Sequence, residues 1–221
     1  MRRLLTVLSV VSVLVLFSVL SVNSGVIHAQ SDDSSPTPAV WFRDDFSTRA
    51  NRWRLVDLEK AVVTYDQSTL NMRVTRTGYA LWSVPDSDLK LDRYTIEADA
   101  RFGKGSSDSR VGVIIGYRSD NDMLVLAVTR LGNVYLGRYY FGVWTDVIAP
   151  LTVKLDVTKI VTLRAVIDKA HALRIFLNGQ QVGKVTTIKD FRASGFGLFA
   201  LSGKQGGVDV SFSRFVVSDV Q

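Results

Sequence analysis

Cysteine is absent from the 221 residues. That excludes disulfides, a thiol nucleophile, a zinc–thiolate centre and a lipid-modified cysteine. Histidine occurs only twice. His28 falls in an N-terminal segment read below as removed, and His171 sits in a Lys169-Ala170-His171-Ala172 turn where a solvated side chain is expected. With no G-x-S-x-G elbow either, Ser-His-Asp chemistry has no footing. Runs of Lys and Arg are also missing: Arg73, Arg93, Arg101, Arg118, Arg138, Arg164 and Arg174 are spread singly. Nucleic-acid binding therefore lacks its electrostatic footprint. No stretch after residue 40 carries a helical period of useful length.

What is present begins with an address. Met1, Arg2 and Arg3 precede an apolar run from Leu4 to Val22, and Ile27-His28-Ala29 then sets an aliphatic residue and a small one before Gln30. This is the three-part layout of a secretory signal peptide, and cleavage is expected after Ala29. The apolar run is also about as long as a minimal membrane span, so an uncleaved anchor is the alternative. The expected location is secreted or extracytoplasmic at the cell surface, with no membrane span after signal cleavage. Residues 30–39, QSDDSSPTPA, are rich in Ser, Asp and Pro and read as a flexible linker. The formal charge of +6 loses Arg2 and Arg3 with the signal, leaving 25 basic residues against 21 acidic ones, a net of +4. That mild excess leaves attraction to an acidic polysaccharide or an anionic surface open.

Residues 40–221 read as one all-β domain. Tyr94, Ile96, Ala98, Ala100 and Phe102 alternate with Thr95, Glu97, Asp99 and Arg101, the period of a strand with one wet face. Leu70-Met72-Val74, Val161-Leu163-Ala165-Ile167, Leu173-Ile175-Leu177 and Val208-Val210-Phe212 repeat that pattern. Val111–Tyr117 and Met123–Val128 are apolar on both parities and are expected at the middle of the sandwich. Asn178-Gly179 predicts a two-residue hairpin. About thirteen short strands favour a two-sheet antiparallel β-sandwich or jelly roll over a parallel sheet.

The blocks VWFRDDFST, GVIIGYRSDNDMLVLAV, LGNVYLGRYYFGVW, LRIFLNGQQVGKV and SGFGLFALSGKQGGVDVSFSRFVV, in that order, resemble bacterial concanavalin A-like (laminin-G-like) domains and the related 3-keto-disaccharide hydrolase domain. The resemblance implies a jelly roll whose concave face often holds sugar. Laminarinase-type hydrolases of this fold carry E-x-D-x-x-E or E-x-D-x-E on a strand, and retaining catalysis needs two carboxyl groups about 5 Å apart. Here Glu97-Ala98-Asp99-Ala100-Arg101 begins that motif and then places arginine where the second glutamate belongs. An outward polar row with internal charge pairing is the simpler reading.

Sugars are held by rings stacked on their C–H faces and by polar groups on their hydroxyls. Trp82, Tyr117, Arg118, Tyr135, Arg138, Tyr139, Tyr140 and Trp144 supply those types, although more than half of them are expected to be buried as strand packing. The candidate ligand-binding residues are Trp82, Glu97, Asp99, Arg118, Arg138, Tyr140 and Trp144, with no catalytic and no metal-ligating residue. Gly112 and Gly116 are expected on one parity with Arg118, as a shallow floor or as room for a loop. Asp120-Asn121-Asp122 and Asp44-Asp45 are oxygen-rich turns without calcium-loop spacing, so no cofactor is expected and calcium is the alternative. The leading expectation is an exported, non-catalytic module that binds a polysaccharide or another cell-surface polymer. A glycoside or 3-keto-disaccharide hydrolase using Glu97 and Asp99, and a protein–protein domain of the envelope, are the alternatives.

Overall fold

A computed structural model describes residues 37–89, 91–188 and 195–220. The expected signal peptide and residues 30–36 of the expected linker lie outside the described residues. Sixteen strands are found among the described residues, and no helix. They are β1 (Val40–Asp44), β2 (Val56–Leu58), β3 (Ala61–Asp66), β4 (Thr69–Val74), β5 (Ala80–Ser83), β6 (Tyr94–Gly105), β7 (Arg110–Ser119) and β8 (Asp122–Thr129). Then follow β9 (Asn133–Tyr140), β10 (Val143–Asp146), β11 (Leu151–Thr152), β12 (Val161–Ile167), β13 (Leu173–Leu177), β14 (Gln180–Val185), β15 (Gly195–Leu201) and β16 (Val208–Ser218). The count exceeds the expected thirteen because β2, β10 and β11 have only three, four and two residues, too short to show a period of two.

The strands pair antiparallel into two sheets. The nine-stranded sheet runs β14-β13-β12-β6-β16-β4-β3-β2, with β1 also on β16. The seven-stranded sheet runs β10-β9-β8-β7-β15-β5, with β11 also on β9. The core lies between them. Ile96, Ala98 and Ala100 of β6, with Leu70 and Met72 of β4, meet Val113, Leu126, Leu136 and Leu198 of the other sheet, all fully buried. Each Val, Leu, Ile or Met side chain of this set contributes roughly 1.5–3 kcal/mol by its burial. Tyr94 ties the layers together: its buried phenol donates to the Ile115 carbonyl of β7, and burial pushes that phenol's pKa up.

The alternation read from the sequence holds. Strands β4, β6, β12 and β13 each bury the expected parity, and β7 and β8 are buried on both parities except near Tyr117–Ser119. Asn178 and Gly179 form the predicted hairpin with φ of 49° and 79°, the left-handed pair that a type I′ turn requires. Asn178 Oδ1 also accepts the Thr162 N–H at 2.9 Å. In β16 a bulge between Phe212 and Arg214 shifts the parity by one residue. Phe212 and Phe215 therefore both face the core, and Arg214 is turned outward.

The double acidic turn after β1 is structural at Asp44. Its buried carboxylate accepts the Phe46 N–H at 2.6 Å, Asn51 Nδ2 at 2.9 Å and Trp53 Nε1 at 2.8 Å. The indole so held packs edge-on to Phe215, with centroids 5.2 Å apart. Asp45 closes a smaller turn onto Ser47.

Candidate functional site

The outer face of the seven-stranded sheet is apolar. Register places Trp82 of β5 opposite Phe199 of β15, Phe199 opposite Gly112 of β7, and Gly112 opposite Ala127 of β8. Ala127 then faces Tyr135 of β9, and Tyr139 of β9 faces Trp144 of β10. All these residues share one side of the sheet because side chains alternate along each strand. Ile114, Met123, Val125, Ala127 and Phe199 form a fully buried floor on that side, outside the core between the sheets.

Half-buried rings roof this floor. The Trp82 and Tyr139 centroids lie 5.8 Å apart, Tyr139 is 6.0 Å from Phe199, and Trp144 is 5.8 Å from Phe199. The expectation that most of the sequence-listed aromatics would be buried is corrected here. Trp82, Tyr117, Tyr135, Tyr139 and Trp144 are half-buried and Tyr140 is exposed. The reason is that they form the outermost layer of one sheet rather than the interior between two.

Polar side chains edge the rings. Asp120 Oδ1 accepts Trp82 Nε1 at 2.8 Å, the Tyr117 hydroxyl at 2.7 Å and a short bond from Arg54 Nη1. Burial alone would raise the Asp120 pKa, but the bonds from Arg54, Trp82 and Tyr117 together hold it below the usual carboxylate value. On the other side Trp144 Nε1 donates to Asp146 Oδ1 at 2.5 Å. Arg110, at the start of β7, lies 3.9 Å from the Tyr135 centroid and 4.6 Å from that of Trp144.

Of the sequence candidates, the fold brings only Trp82 and Trp144 together on this face. Arg118, Arg138 and Tyr140 gather at one end of the same sheet around Asp122. Arg138 grips the Asp122 carboxylate with Nε on Oδ1 and Nη2 on Oδ2, both at 2.8 Å, and Arg118 Nη1 reaches Oδ2 at 3.0 Å. Hydrogen bonding from Arg138, then from Arg118, holds the Asp122 pKa below its usual value. Arg138 also lies 5.0 Å from the Tyr140 ring. Beyond it the β9–β10 turn carries Tyr140, Phe141 and Val143 at 49%, 65% and 62% exposure, with Phe141 at a φ of 45°.

The expected shared parity of Gly112, Gly116 and Arg118 is also corrected. A bulge between Ile114 and Gly116 shifts the register, so Gly112 pairs with Ala127 of the outer parity and Gly116 with Leu124 of the inner one. A second irregularity between Tyr117 and Ser119 displaces Arg118 again. Bulges leave no simple mark in a pattern of apolar residues.

Glu97 and Asp99 occupy a third place, the outer face of the nine-stranded sheet. Arg214 Nε bonds Asp99 Oδ2 at 2.8 Å and its Nη2 makes a short bond to Glu97 Oε1. Thr162 donates to Asp99 Oδ1 at 2.7 Å, and Arg164 stands 4.0 Å from Glu97. The expected charge pairing is present, but its partners come from β16 and β12, and the adjacent Arg101 forms no ion pair among the described residues. Hydrogen bonding to Asp99, opposed by burial and aided by Glu97, raises the Arg214 pKa. The hollow beside Glu97, Arg164 and Asp219 measures about 160 Å³, below the roughly 300 Å³ at which ligand pockets begin. A larger polar groove of about 470 Å³ lies elsewhere on that face, between Thr64, Asn71, Arg73 and Asp209.

Sequence reasoning missed Arg110 and Asp120 as members of the aromatic face. Tyr135, Gly137 and Tyr139 do share a parity in the sequence, and that alternation was the available signal. Among the described residues no group of three or more His, Asp and Glu side chains is arranged to hold a metal ion.

No family model matches the sequence, and no curated protein does. Solved structures do match in shape. Carbohydrate-binding module CBM66 from Bacillus subtilis aligns with a TM-score of 0.59 at 15% identity, covering 76% of this chain and 95% of that one. The β-glucanase of Bacillus licheniformis aligns with 0.59 at 10% identity, over 84% of this chain and all of that one. The catalytic domain of an endo-1,3-β-glucanase (laminarinase) from Thermotoga petrophila aligns with 0.55 at 10% identity, over 84% and 99%. The fold is thus the two-sheet antiparallel sandwich of the concanavalin A-like jelly-roll class.

Proposed function

We propose that the protein is exported and binds a polysaccharide or another cell-surface polymer without cleaving it. The supporting observation is the outer face of the seven-stranded sheet. Trp82, Tyr139 and Trp144 lie side by side there, half-exposed over a buried floor, with Asp120, Arg54 and Asp146 at their edges. Rings pinned from below lose little freedom when a sugar stacks on them, and carboxylate and guanidinium groups at their rim can meet its hydroxyls.

Three further points favour this reading. The neighbours in shape include a carbohydrate-binding module and two glucanases. The acidic pair that would serve a hydrolase, Glu97 and Asp99, is tied to one arginine, and the hollow beside Glu97 is small, about 160 Å³. The N-terminal apolar segment reads as an export signal.

Affinity electrophoresis of the purified protein in gels containing a panel of neutral and acidic polysaccharides tests the proposal. Retardation by at least one polymer is expected, and Trp82→Ala and Trp144→Ala should each weaken it about tenfold or more, the size of a lost stacking contact. Migration unaffected by every polymer, or retardation that survives both substitutions, would overturn it.

A further inference from the structure

Arg110 is unlike the arginines that bind carboxylates elsewhere in the sandwich. Arg54 holds Asp120, Arg73 holds Asp209, Arg93 holds Asp219, Arg118 and Arg138 share Asp122, and Arg214 spans Glu97 and Asp99. Arg110 forms no ion pair and no side-chain hydrogen bond among the described residues. Its contacts are instead two rings, Tyr135 at 3.9 Å and Trp144 at 4.6 Å. It is half-buried, yet none of its nitrogens is both enclosed and without a partner, so its in-plane N–H donors reach solvent.

We infer that Arg110 is the specificity determinant of the aromatic face and selects a polymer bearing carboxylated sugars, of the uronic acid class. This rests on the aromatic face being the polymer-binding surface. Rings beside a guanidinium fix its plane and leave the edge donors as its remaining valence. That edge matches the two oxygens of a carboxylate in a planar, bidentate fit. Stacking also pre-orders the side chain, so less rotamer freedom is lost on binding than for a free surface arginine.

The location completes the argument. Trp144 touches both Arg110 and the ring floor, so a chain stacked along Trp82, Tyr139 and Trp144 runs its sugars past the guanidinium. The carboxylate bonded to that indole, Asp146, forms no ion pair with Arg110, so the guanidinium's fork of donors is not taken up by it. The net basic charge of the chain adds a long-range attraction of the same sign.

The test compares three polymers by affinity electrophoresis at constant salt: polygalacturonate, its fully methyl-esterified form with the same backbone and no charge, and a sulfated galactan. The protein should prefer polygalacturonate over the ester by about tenfold, as a charge-assisted hydrogen-bonded contact requires. Arg110→Gln should erase that preference, bringing retardation by polygalacturonate down to the variant's own retardation by the ester. Arg110→Lys, which keeps the charge but not the fork, should recover only part of it. Unchanged thermal midpoints for both variants would establish that they fold.

Equal preference of the Arg110→Gln variant and the wild type for polygalacturonate would overturn the assignment of Arg110. So would stronger retardation by the sulfated galactan than by polygalacturonate, since sulfate is not planar. Trp82→Ala separates the two levels of failure. If it abolishes retardation while Arg110→Gln leaves the preference intact, only the role of Arg110 falls. If neither substitution changes anything, the aromatic face itself is not the binding surface.

Discussion

The indole of Trp144 lies directly over Gly137, so close that a β-carbon on residue 137 would come within 2.2 Å of its Cζ2. Glycine is needed there for that approach, not for a turn. Gly137→Ala should lift Trp144 off the face, reduce polysaccharide retardation to the level of Trp144→Ala and shift the tryptophan emission to the red. The overpacking should cost about 1–3 kcal/mol. Emission and retardation identical to wild type would show that the ring does not need this seat.

Phe199 is fully buried beneath that same ring and Tyr139, on the side of the sheet away from the core between the layers. Phe199→Ala should therefore cost as much as a deletion in the interior, about 3–5 kcal/mol. Chemical denaturation would measure it against Phe212→Ala, a deletion between the sheets. A cost below about 1 kcal/mol, as surface positions usually give, would mean the floor is not packed.

Asp122 makes stability depend on pH in a definite direction. Arg138 and Arg118 hold its folded pKa below the usual value, so the folded state binds this proton less readily than the unfolded chain. The stabilisation is present above the unfolded pKa near 3.9 and disappears as the pH falls through the lower folded value. Asp120 acts with the same sign. Asp122→Asn should lower the thermal midpoint at pH 7 and flatten its fall in the acid range. A variant whose midpoint tracks the wild type from pH 7 to pH 2 would remove Asp122 from this role.

The Glu97–Asp99–Arg214 cluster should matter to stability and not to ligand. The double variant Glu97→Gln, Asp99→Asn should retain full retardation in polysaccharide gels. It should lose on the order of 1 kcal/mol, because Arg214 is left half-buried with weaker acceptors. Assay of reducing ends released from a β-glucan supplies the opposing result. Release by the wild type that the double variant abolishes would restore the hydrolytic reading.

Most strands were legible because one side is drier than the other, as Tyr94–Phe102 and Val161–Ile167 show, and β7 and β8 because they are apolar on both parities. The Asn178-Gly179 turn was legible because left-handed backbone calls for a restricted set of residues. The site was less so. Trp82 and Trp144 were marked by residue type, and they do share a face. Arg118, Arg138 and Tyr140 were marked the same way, but they belong to the opposite parity, around Asp122. Arg110 resembled any other strand arginine until Tyr135 and Trp144 were placed beside it.

By itself the sequence determined an all-β chain, the dry side of the strands that alternate cleanly, and a chain without thiols, since these depend on residue identity and a period of two. Tertiary structure alone decided which arginine met which partner. Pairing between distant strands and the bulges at Ile114–Gly116 and Phe212–Arg214 set that register, and a shift of one residue sends a side chain to the other face of the sheet.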